Sequence, residues 1–152
     1  MSCGLRVEIF WNLQKKLFSV RPLKGPQRGL VCLYTDLILL EDVAFVVQPA
    51  GRARVLREKR KNVHAFVRGM LVSTGANVPV EIEEVGWDFV TYNPYLAPTF
   101  CRLSRATKDW EPIQTASHFL GCVEWGMPVC RVASLVGAIR LRPQTAFERS
   151  AR

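Results

Sequence analysis

The sequence predicts an α+β domain, mainly an antiparallel β-sheet, with one short basic helix over about residues 50–61. Three observations predict it. Leu5, Val7 and Ile9 alternate with Arg6, Glu8 and Phe10, the period-two pattern of a half-buried strand. Short aliphatic and β-branched runs recur between glycine- and proline-bearing turns. After Gln48-Pro49-Ala50 comes a stretch with neither a proline nor a β-branched run, and proline suits a first helical turn because its missing N–H would be unpaired there.

The first strand ends near Trp11, and Leu17 to Val20 forms a second. Lys24 to Gly29 is turn chemistry, with Gly25, Pro26 and Gly29. Leu30 to Leu40 and Val43 to Val47 supply two or three more strands, joined as a meander with short connections. On the helix, Val55 and Leu56 lie on one side, whereas Arg54, Arg57 and Lys61 share the other, and Asn62 is the expected stop. A strand from His64 to about Val72 follows, then a loop over 73–80. Further short strands are expected at Trp87–Tyr92, Thr99–Arg102, His118–Gly121 and Val129–Val132.

The 152 residues suit one domain large enough to bury a core without disulfides. Residues 1–130 are taken as a single α+β domain and 131–152 as a basic C-terminal extension. Val132, Leu135, Val136 and Ile139 in that extension fall at helical spacing, so it reads either as a short amphipathic helix or as a frayed tail. The net charge is +8, half of it carried by the five arginines and one glutamate of residues 131–152. Such a balance favours anionic partners.

No basic start followed by an apolar run and no apolar stretch of about 18 residues occurs, so neither secretion nor a membrane partner is expected. Five irregularly spaced cysteines without a C-x-x-C pair argue for reduced thiols in a cytoplasmic setting. No metal or cofactor is expected, since only His64 and His118 could add nitrogen ligands.

Candidate binding residues cluster in three places. The 52–61 segment carries six basic residues against Glu58, a density that like-charge repulsion disfavours unless an anion is met there. The alternative is a solvated helix neutralised by the acidic stretch Glu81, Glu83, Glu84 and Asp88. His64, Phe66 and Arg68 alternate along one strand face and could join a stacking ring to phosphate donors. A structural, hydrogen-bonded His64 is the alternative. In Tyr92-Asn93-Pro94-Tyr95 the proline forces a turn, and two tyrosines with an amide could read a base or simply pack the turn. Arg102 and Arg105 follow closely. No catalytic signature is present: no G-x-S-x-G, H-E-x-x-H or P-loop. A binding protein rather than an enzyme is expected.

Trp11 to Lys16 with Phe18-Ser19-Val20, Leu56 to Ala65, and Tyr92 to Tyr95 together resemble a group of small phage and prophage proteins, over about residues 5–130. Part of the chain resembles the Thoeris anti-defence family. That resemblance implies a sheet-with-helices architecture and a homo-oligomeric, non-enzymatic sponge in the infected host's cytoplasm that sequesters a cyclic ADP-ribose-type signal. The basic tail and Gln14, where a histidine is expected, depart from the pattern. On residue chemistry, Arg54, Arg57 and Arg68 would hold phosphates, Phe66 and Tyr92 would stack a base, and Asn93 would read its edge, with Lys61, His64, Tyr95, Arg102 and Arg105 alongside. Two rivals stay open: a nucleic-acid-binding accessory protein, and an inhibitor that docks on a host defence protein.

Overall fold

The structure, a computed structural model, describes residues 4–78 and 87–133. It bears out the fold class: a mainly antiparallel sheet with one short α-helix. The sheet opens with β1 (Arg6–Asn12), β2 (Leu17–Pro22), β3 (Leu33–Thr35) and β4 (Leu37–Val47). Helix α1 (Pro49–Glu58) leads back through β5 (Ala65–Thr74), and β6 (Trp87–Thr91), β7 (Cys101–Leu103), β8 (Trp110–Pro112), β9 (Thr115–Glu124) and β10 (Met127–Ala133) complete it. The strands lie in the order β3-β2-β1-β5-β4-β9-β10-β6-β7-β8.

That order corrects the expected meander. β1, β2 and β3 follow one another as neighbours, but β3 does not pair with β4: β5 inserts between β1 and β4, and β9 pairs with the other edge of β4. Local patterning identifies a strand's buried face but not its partner.

One core collects side chains from across the sheet, including Val7, Ile9, Phe18, Val20, Leu40, Phe45, Val67, Phe119 and Val132. The sheet is rolled around it. β2 and β9 stand four strands apart in the order, about 19 Å in a flat sheet. Yet a Cβ placed on Gly121 of β9 would lie 2.9 Å from Cζ of Phe18 in β2. Gly121 is therefore the gap that admits the Phe18 ring as the sheet closes on itself.

A bulge in β4 supports this roll. Asp42 takes a left-handed φ of 53°, and the β4–β5 register shifts between Glu41 and Ala44. The shift lets Val43 and Phe45 face the same core as Ile38 and Leu40, although strict alternation would turn them away. Gly69 of β5 permits the close approach, since a Cβ there would sit 2.9 Å from the Glu41 carbonyl oxygen. Arg6 then clasps Asp42 at 2.6 Å.

The helix is shorter than expected. It ends at Glu58, because Lys59 turns left-handed at φ 57° and donates its N–H to the Val55 carbonyl. Asn62 is therefore not the stop, and residues 59–64 form an irregular link. His64 lies one residue before β5, with its carbonyl accepting from the Gln48 N–H, and its ring meets Tyr92, whereas Phe66 meets Phe10 and Arg68 meets Glu8. β5 also continues to Thr74 where a loop was expected, and β8 has no counterpart in the sequence reading. The amphipathic reading of the tail and residues Glu81, Glu83 and Glu84 lie outside the described residues.

Candidate functional site

A cleft of about 650 Å3 opens where α1, the link to β5, the end of β1 and the turn after β6 meet. Its position follows from how α1 is held down. Val55 is the helix's one fully buried side chain, so apolar burial alone anchors it weakly. Gly51 supplies the close contact: a Cβ there would come within 2.5 Å of the His64 Cβ. Arg52 completes the anchor by donating from Nε to the Pro94 carbonyl at 3.0 Å. The helix is thus tied to the Tyr92–Tyr95 turn, 42 residues away in sequence.

His64, only 4% exposed, is the pin of this corner. Its Nδ1 lies 2.7 Å from the Asn62 carbonyl and its Nε2 2.7 Å from the Tyr92 hydroxyl. A carbonyl can only accept, so Nδ1 carries the proton; in the neutral ring Nε2 then accepts from the tyrosine. Burial raises the Tyr92 phenol above its ordinary pKa, although the Arg52 guanidinium works against this. Tyr92 therefore remains a donor. Its ring in turn packs on Phe100, which meets Phe45 in the core. Asn93 shapes the turn by accepting the Tyr95 N–H on its side-chain oxygen at 2.9 Å.

Of the residues singled out from the sequence, the cleft gathers Lys61, His64, Tyr92, Asn93 and Tyr95. It also takes Lys59 of the basic 52–61 segment, and Trp11 and Leu13, which sequence reasoning did not select. Trp11 looked like the end of an ordinary strand, and only the return of α1 over that end makes it a wall. Among the described residues, no carboxylate lines the cleft. The ammonium of Lys59 stands 5.9 Å from the Tyr95 ring centroid.

The remaining candidates lie elsewhere, the arginines each beside a carboxylate. Arg54 and Arg57 both pair with Glu58 on the outer face of α1. Arg68 belongs to a cross-strand triad: Glu8 stands opposite Arg21 on one side and Arg68 on the other. Its Oε1 accepts from Arg21 Nε at 2.8 Å and its Oε2 from Arg68 Nε at 2.6 Å. Phe66 lies in the same layer, with the Arg21 guanidinium over its ring and Phe10 against its edge. The ring is buried and does not line the cleft. Arg102 and Arg105 both pair with Asp88, and Arg102 also with Glu111. Asp88 thus meets these two arginines rather than the basic helix. Arg105 lines a separate cleft of about 460 Å3 with Phe89, Lys108 and Arg131. Among the described residues no cluster suited to a metal ion occurs.

Fold and cleft together define a small basic α+β protein with an aromatic, lysine-bearing cleft at one corner of a rolled sheet. The chain belongs to the family of the Mycobacterium phage L5 gene 82 protein, whose model matches residues 1–120. It is 38% identical to the gene 82 protein of Mycobacterium phage L5 over 102 residues, 63% of this chain and 76% of that protein. This places it among small phage proteins. No solved structure matches the chain. Among the described residues, no helix is long and apolar enough to cross a membrane.

Proposed function

We propose that this phage protein is a non-catalytic binding protein that sequesters a small anionic nucleotide-type ligand, of the cyclic ADP-ribose class, in the α1 cleft. The carrying observation is the cleft's lining: Trp11, Tyr92 and Tyr95 offer rings, Lys59 and Lys61 offer positive charge, and no carboxylate among the described residues competes for it. Its volume falls within the roughly 300–1,000 Å3 of small-molecule sites. Among the described residues, the ion pairs of the helix leave Lys59 and Lys61 out, which would offer both ammonium groups to phosphate. Both His64 nitrogens are engaged, which favours holding a ligand over proton transfer. Sequestration in the host cytoplasm, by a homo-oligomer whose subunits each carry a cleft, would lower the free signal and blunt a host defence.

Isothermal titration with cyclic ADP-ribose isomers and cyclic dinucleotides tests this. The expected result is saturable binding, recovery of the ligand intact, and a loss of about 10-fold or more in the Tyr95→Ala, Lys61→Ala double variant. Absence of binding by every ligand, or recovery of cleaved ligand, sinks the reading.

A second reading rests on the cleft's rim. Leu13, Val63, Tyr95 and Leu96 are all exposed apolar side chains there or one residue beyond it, a composition that suits docking on a host defence protein. In that case Leu96→Asp abolishes co-purification with the host protein and leaves the titrations unchanged.

A further inference from the structure

The β9–β10 hairpin turns through two residues, since Glu124 pairs with Met127. Trp125 and Gly126 between them both take positive φ, 55° and 73°. That is the two-residue turn in which Asn-Gly or Asp-Gly is normally found, because a bulky side chain is strained there. Trp125 is nevertheless fully exposed, at 101% of its reference area. Neither the fold nor the α1 cleft uses it. Met127 beside it is also exposed.

The rolled sheet brings the β1–β2 turn to this tip. A Cβ on Gly126 would meet the Lys16 side chain at 3.5 Å. Lys15, next in the turn, places its ammonium 4.7 Å from the ring centroid of exposed Tyr34. The tip's nearest carboxylate in sequence, Glu124, faces Arg131 at 4.0 Å and accepts from Cys122. Two lysines therefore lie between the Tyr34 ring and the turn that carries Trp125.

We propose that this end of the sheet is a docking surface for single-stranded nucleic acid, with Trp125 as the stacking platform and Lys15 and Lys16 as phosphate contacts. Every base offers a face to an indole, so such a platform captures unpaired strands without reading sequence. Duplex bases are stacked on one another and cannot use it. Charge complementarity selects a polyanion, and the fully exposed ring standing proud of the surface selects unpaired bases over a duplex. The α1 cleft takes no part, so this surface stands or falls independently of the small-ligand reading.

The test is fluorescence anisotropy of the full chain with labelled oligo-dT, oligo-U and a DNA duplex across a salt series. Single strands should bind at least 10-fold tighter than duplex and quench indole fluorescence. Trp125→Asn installs the residue that the turn prefers, so it should melt no lower than the parent and still lose about 10-fold in affinity. Trp125→Phe should retain most of the binding. Lys15→Gln with Lys16→Gln should flatten the log–log salt slope by about 1.4. Equal affinity for duplex, unchanged binding by a folded Trp125→Asn variant, or binding to anionic phosphatidylglycerol vesicles without binding to oligonucleotides would overturn the proposal.

Discussion

The Tyr92 hydroxyl donates to Nε2 of His64 across 2.7 Å and so ties β6's outgoing turn to the residue that ends the α1 link. The bond is inside the wall of the cleft, so stability and the shape of the cleft depend on it together. Tyr92→Phe leaves Nε2 buried without a donor and should cost about 1–2 kcal/mol. Urea denaturation gives the loss, and an unchanged midpoint would show that Nε2 finds another partner.

Gly51 is the companion constraint. Any side chain there drives α1 away from His64, because the added Cβ would sit 2.5 Å from the histidine's own. Gly51→Ala should destabilise by about 1–3 kcal/mol, against the usual gain for alanine in a helix. A raised melting temperature would contradict the contact.

Glu8 is buried between Arg21 and Arg68, which are 27% and 46% exposed. Removing its charge leaves two guanidinium groups facing each other across β1. A fully buried pair broken this way costs about 3–5 kcal/mol, but solvent reaches both arginines, so Glu8→Gln should cost about 2. Adding Arg68→Gln should recover part of the loss, and a double-mutant cycle measures the coupling.

His118 sets an acid limit. Burial lowers its pKa below the ordinary 6.5, only partly offset by Glu41, which lies 3.8 Å away. The unfolded chain therefore takes up the proton first. Stability from this site is complete above about pH 6.5 and falls as pH drops from there toward the folded value. Melting temperatures measured from pH 8 to pH 5 should decline at the acid end, and His118→Asn should flatten that decline. A profile identical in the two proteins would remove His118 as the cause.

Much of the strand content was legible in the sequence, because a strand that buries one face must alternate. β1, β2, β5, β6, β9 and β10 were all located, with ends displaced by a few residues. The helix was legible from Pro49 and its helix-compatible stretch, although its end was not. A left-handed Lys59 carries no signal of the kind that glycine would. The candidate site was half legible. The Tyr92–Tyr95 turn, His64 and Lys61 announced themselves by residue type, and the structure brings them together. Arg54, Arg57, Arg68, Arg102 and Arg105 were chosen for charge alone, which says nothing of the carboxylate that folding sets beside each of them.

Local periodicity, charge and backbone preference suffice for the α+β class, the basic character and the composition of the cleft's turn. Which cation meets which carboxylate follows from tertiary structure alone. Strand order and the roll of the sheet place Glu8 between two arginines and leave Lys59 and Lys61 in a cleft that no carboxylate of the described residues lines. Pairing across distant strands is settled by the shared core they bury, and no local pattern encodes which charge will meet which.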